Sequence, residues 1–157
     1  MKYEIKPVGY VRKKEEKYFL EIKEEYIPAL KGLDGFSHVN VLWWCHLNDS
    51  EEDRDKLILG HLYKKAPREM GVFSTRAPIR PNPIALTVVS VGNIDFDDGI
   101  INISPMDAEP DTPIIDVKPY QPSLDRVRNV SVPEWCTDWP EWYEDSANFD
   151  WRSQVNF

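Results

Sequence analysis

Apolar residues in this chain fall into short alternating or filled runs, and few of them repeat at helical spacing. Period-two alternation opens at 3–11, and a second strand is expected at 19–22. Residues 24–31 read as a short helical turn closed by Gly32. The run VNVLWWCHL at 39–47 predicts a filled strand, with Val41, Trp43 and Cys45 on one face and Trp44 and His46 on the other. Ser50, with Asp53 three residues on, is a capping signal for a short helix that Gly60 limits. Further strands are expected at 71–75, 84–91, 100–104 and 114–118, and Asp97-Asp98-Gly99 marks a hairpin between the middle pair. So many short strands with so little helix predict a mainly β fold, a small closed or nearly closed antiparallel barrel with short helices. Strand and helix do not alternate as a Rossmann nucleotide fold requires.

A length of 157 residues suits one domain over 1–157, with a tryptophan-rich tail at about 133–157. No apolar run approaches the ~20 residues of a membrane helix. The start Met1-Lys2-Tyr3-Glu4 is charged where a signal peptide would be apolar, so a cytoplasmic protein is expected. Cys45 and Cys136 form no C-x-x-C pair and read as reduced thiols, Cys45 buried in its strand. His38, His46 and His61 lack metal-ligand spacing, so no metal is expected. Ser37 and His38 come without a nucleophile elbow, which speaks against a hydrolase triad.

Net charge is −8, from 27 acidic and 19 basic residues, which removes general attraction to a phosphate backbone. The cations nevertheless cluster, at Arg12, Lys13, Lys14 and Lys17, and at Lys64, Lys65 and Arg68. The carboxylates gather at 51–55 and from Glu134 onward. One modest basic face and ordinary solvated charge runs are both open readings.

The segment GVFSTRAPIRPNPIAL at 71–86 is the most informative in the chain. Pro78, Pro81 and Pro83 exclude a helix and push Ala77, Arg80 and Asn82 toward extended geometry. Arg76, Arg80 and Asn82 are therefore expected on a stiff backbone. They are either preorganised to grip an anion or planar group, or they belong to a crossover whose arginines pair with surface carboxylates. Trp135, Trp139, Trp142 and Trp151, with Tyr143, Phe149 and Phe157, crowd the tail. They form a base-stacking surface or, the preferred reading, anchors that staple the tail onto the barrel or a partner subunit.

PVGYV at 7–11, LDGFSH at 33–38, the 71–86 segment and DTPIIDVKPY at 111–120 together resemble, in order and spacing, the TsaA-like (TrmO) family over about 3–125. The resemblance implies an S-adenosylmethionine-dependent methyltransferase on a small β-barrel, working as a homodimer. It further implies methylation of N6 of threonylcarbamoyladenosine beside the tRNA anticodon. Matched position by position, it implies cofactor contacts at His46, Leu47, Arg76 and Leu86. It implies the same for Pro110, Asp111, Thr112 and Pro113, which stand where the family writes Asp-Gly-Thr-Pro. Arg80 and Asn82 match motif letters and are assigned to structure or RNA contact, with Lys64, Lys65 and Arg68 as candidate RNA cations. No general base is assigned. Asp116 and Tyr120 are polar neighbours of the site, Asp116 more readily a salt-bridge partner. The family's Pro-Arg-Gln element after the first strand has no counterpart here, and Ala85 replaces a usual glycine. Two other readings therefore stay open: a methyltransferase for a non-RNA acceptor, and a noncatalytic S-adenosylmethionine-binding module.

Overall fold

The alternation seen in the sequence resolves into eight strands: β1 (Gly9–Lys14), β2 (Lys17–Ile22), β3 (His38–Trp44), β4 (Ile58–Leu59), β5 (Met70–Gly71), β6 (Ile84–Asp95), β7 (Ile100–Ile103) and β8 (Pro113–Pro119). Two short helices, α1 (Glu51–Asp55) and α2 (Pro122–Asp125), and several 3-10 turns join them. The structure, a computed structural model, describes residues 3–156; Met1, Lys2 and the tail's Phe157 lie outside the described residues. Two units are distinguished, one of 3–50 with 82–126, the other of 51–81 with 127–156.

In the first unit the six longer strands close a barrel in the order β1-β2-β7-β6-β3-β8. Gly9 opposite Ile114 brings β8 back to β1, and every pairing is antiparallel. The mainly β barrel expected from the pattern is borne out. Inward positions carry Val11, Leu20, Val39, Val41, Val89 and Ile101, each fully shielded. Each such side chain contributes about 1.5–3 kcal/mol relative to exposure. Gly9 is required where β1 passes β2, because a Cβ there would meet the Glu21 carbonyl oxygen at 2.4 Å. Gly99 closes the β6–β7 hairpin at φ +68, as the Asp97-Asp98-Gly99 signal predicts.

Three elements differ from expectation, each for a local reason. The opening strand starts at Gly9, not at residue 3, and turns tightly at Glu15 (φ 56), with Lys14 facing Lys17. β3 stops at Trp44 because the Cys45 backbone N–H turns to the Pro83 carbonyl (2.7 Å), and His46–Asn48 becomes a 3-10 turn. Cys45 is buried all the same, just past the strand. The strand expected at 71–75 is only the end of β5 followed by a 3-10 turn, Val72–Ser74. There the Ser74 and Thr75 hydroxyls bond the Gly71 and Val72 carbonyls (2.7 and 2.9 Å), taking acceptors a ladder would use.

In the second unit β4 pairs with β5, and the tail seats on residues 61–65 of the same chain. Tyr63 bridges to Val155, the Lys64 N–H donates to the Gln154 carbonyl (2.9 Å), and the Asn156 N–H to the Leu62 carbonyl (3.1 Å). Tyr63 stacks on Trp135 at 5.3 Å, and Trp139 meets Tyr63, Trp135 and Trp151 edge-on at 5.2–5.3 Å. Trp135, Trp139 and Trp151 are anchors within this unit, and the segment that receives the tail is 61–65, which the sequence did not single out.

Candidate functional site

The end of β3 and the starts of β6 and β8 lie at one end of the barrel. Trp44 faces Ile84, and Trp43 is flanked by Ala85 on β6 and Ile114 on β8. The His46–Asn48 turn, Leu86 and the 110–113 loop are thereby gathered on one rim. The turn is held firmly: the Trp44 indole N–H donates to Asp49 (2.8 Å) and the Asn48 N–H to the Cys45 carbonyl (2.9 Å). Leu47 is 68% exposed and Leu86 45% exposed, so this rim offers apolar surface to solvent. Leu86 points outward opposite Leu42, whereas its neighbour Thr87 accepts from the Trp43 indole N–H (3.0 Å).

The 110–113 loop is built against β1. The Asp111 N–H donates to the Val11 carbonyl (2.8 Å), and the Thr112 carbonyl accepts from the Val11 N–H (2.9 Å). Thr112 is buried, and Asp111 adopts φ 68, the left-handed region that glycine enters freely and other residues enter rarely. The Arg12 guanidinium donates to both Glu21 and Asp111. Its pKa is held above the ordinary value, chiefly by the hydrogen bond to Glu21, with both carboxylate charges adding to it. Arg12, read from sequence as part of a basic cluster, is thus committed to two carboxylates. The pairing spans 99 positions, and no local pattern signals it.

Arg76 lies in the second unit, exposed, beside Tyr63. Burial pushes the Tyr63 phenol up, and a hydrogen bond from the Arg76 backbone with the Arg76 charge partly offsets this. Arg80 folds back on the same loop and donates to the Val72, Thr75 and Ala77 carbonyls (3.0, 2.6 and 2.9 Å). Arg80 thereby clamps its own loop, its guanidinium fork adding a charged donor to the Val72 carbonyl that the Thr75 N–H and hydroxyl already bond. The Asn82 carbonyl accepts from the Ile84 N–H (2.7 Å) at the start of β6.

Of the candidate RNA cations, Lys65 is paired with Asp138 (2.6 Å), while Lys64 and Arg68 are exposed. Asp116 is ion-paired with Lys118 (2.6 Å). Cys45 and Cys136 are not disulfide-bonded, and burial, helped by the Asp138 charge, pushes the Cys136 thiol up, away from reactive thiolate. Among the described residues there is no group of three or more His, Cys, Asp or Glu side chains that could hold a metal ion. No helix among them is long and apolar enough to cross a membrane.

A closed antiparallel barrel with exposed leucines and a tight loop on one rim defines the class. Residues 6–126 match the tRNA-methyltransferase O N-terminal domain, and the chain belongs to that family. It is 40% identical over 124 residues to a probable S-adenosyl-L-methionine-binding protein of Methanocaldococcus jannaschii, covering 78% of this chain and 96% of the relative. A mouse tRNA (adenine(37)-N6)-methyltransferase is 38% identical over 112 residues, 66% of this chain and 23% of the mouse protein. The crystal structure of TrmO from Pseudomonas aeruginosa superposes with a TM-score of 0.63 at 28% identity, over 83% of this chain. The chain spans 62% of that TrmO chain.

Proposed function

We propose that this chain is an S-adenosylmethionine-dependent methyltransferase that methylates N6 of threonylcarbamoyladenosine beside the anticodon of tRNA. The reading includes a cytoplasmic homodimer acting as one TsaA-like domain. The observation that carries it is the gathering of His46, Leu47, Leu86 and the 110–113 loop on one barrel rim, in a chain of this family.

The donor set suits the cofactor's chemistry. Leu47 and Leu86 offer apolar faces to an adenine or a methionine stem, and the His46 imidazole can donate or accept toward ribose or base. Backbone groups of Pro110, Asp111, Thr112 and Pro113 supply edges for an adenine. Arg76, assigned by its motif position alone, would pair with a carboxylate.

The cofactor brings an already activated methyl group, so the protein's share is alignment and exclusion of water. An anticodon-loop base is single-stranded and reaches such a rim without opening a duplex. The relative that names tRNA as substrate supports this acceptor. A second reading, a non-RNA acceptor, is favoured by the net charge of −8 and by the pairing of Lys65 with Asp138. Incubation with methyl-labelled cofactor and bulk tRNA from cells lacking the gene separates the two. Label in tRNA at the threonylcarbamoylated adenosine is expected. Cofactor binding with no label entering tRNA would overturn the tRNA assignment.

A further inference from the structure

We propose that Arg12 is a positioning residue for the cofactor: it pins Asp111 in the left-handed backbone conformation that shapes the 110–113 loop. The proposal rests on the cofactor-binding reading above and goes beyond it by assigning a residue outside the contact set.

Asp111 holds φ 68, a conformation that aspartate tolerates better than most L residues but keeps at a cost that glycine would not bear. Its backbone N–H is tied to Val11 on β1, so the loop is fixed at one point. The next residue along β1 is Arg12, whose side chain emerges on the outer face of the barrel with Tyr10. Its guanidinium lies 5.1 Å from the Tyr10 ring centroid, is oriented by Glu21 and donates to the Asp111 carboxylate. A planar fork held by a ring and a carboxylate loses little freedom on gripping the second carboxylate. Arg12 therefore holds by the side chain the residue that Val11 holds by the backbone. Glycine at 111 would adopt the same φ without a holder. If the loop's shape is what Arg12 supplies, the need for Arg12 must vanish when residue 111 is glycine.

That coupling is the test. S-adenosylmethionine is titrated calorimetrically into wild type, Arg12→Ala, Arg12→Lys, Asp111→Gly and the Arg12→Ala/Asp111→Gly pair. The ion pair is partly solvated, so Arg12→Ala should weaken binding about two- to fivefold. Arg12→Lys, which keeps the charge without the fork, should restore only part of this. Asp111→Gly sets its own baseline for binding, and adding Arg12→Ala to it should change nothing further. In the unliganded protein, hydrogen exchange of the Asp111 amide should quicken in Arg12→Ala and not in Arg12→Lys to the same degree.

Wild-type affinity in Arg12→Ala overturns the proposal, as does an equal loss in the Asp111→Gly background. A loss of tRNA affinity with cofactor affinity intact would make Arg12 a phosphate cation and overturn it too. Failure of wild type itself to bind S-adenosylmethionine overturns the cofactor reading, and the proposal with it.

Discussion

Arg76 and Arg80 stand in one proline-rich loop, and Arg80 is spent on three carbonyls of that loop, which leaves the proposed cofactor contact to Arg76. Arg80→Ala leaves those acceptors without a charged donor and should destabilise the second unit by about 1.5–3 kcal/mol, read as a lower urea midpoint. Arg76→Ala should lower that midpoint less than Arg80→Ala does, and weaken S-adenosylmethionine binding by about 1.5–3 kcal/mol in calorimetry. Near-zero effects of both substitutions in both assays would contradict the division of labour. The sequence marks this loop because Pro78, Pro81 and Pro83 exclude a helix. It does not show the turn at Val72–Ser74, which is decided by hydroxyls competing for backbone carbonyls. Residue pairs such as Arg12 with Asp111 are equally silent in the sequence, because closure of the barrel brings them together and no local pattern does.

The barrel strands were legible because alternation is dictated by burial of one face, and β3, β6, β7 and β8 all fall where it placed them within a few residues. β4 was not legible, since two residues carry no period, nor was the β1–β2 turn, which lacks an Asn-Gly or Asp-Gly signal. The tail was visible as aromatic composition, but its seat on 61–65 depends on tertiary packing around one tyrosine. Trp139 touches three other rings there. Trp139→Ala should destabilise the second unit by about 2–3 kcal/mol, less than a fully buried tryptophan would, with loss of near-ultraviolet circular dichroism. An unchanged urea midpoint would mean that the rings do not anchor the tail. The Lys65–Asp138 pair adds a pH signature, since Lys65 holds the Asp138 carboxyl below its ordinary value. The unfolded chain then binds this proton more readily than the folded one. Its stabilisation is present above the ordinary carboxylate range and lost as pH falls through the lowered folded value. Lys65→Met should shrink the acid-side fall in the unfolding midpoint; an identical pH profile would show the pair to be inert.

A net charge of −8 sets the terms on which the whole molecule meets any nucleic acid. Arg12 is held by Glu21 and Asp111, Lys65 by Asp138, and Lys13 lies 3.9 Å from Glu16, so bound tRNA must either break such pairs or use other exposed cations such as Lys14, Lys64 and Arg68. Binding should therefore depend on a few local cations and be suppressed steeply by salt. Each single-stranded phosphate neutralised contributes about −0.7 to the slope of log affinity against log salt. Three or four contacts then give a slope of roughly −2 to −3. Reversing Lys64, Lys65 and Arg68 to glutamate should flatten that slope and cut tRNA methylation. S-adenosylmethionine affinity should stay as in wild type, because none of the three belongs to the proposed cofactor set. Filter binding across a salt series, beside calorimetry on the same variant, reads both quantities. A triple variant that methylates tRNA at the wild-type rate in moderate salt would show these cations to be ordinary solvated surface. The acceptor would then have to be recognised elsewhere on the chain or be something other than tRNA.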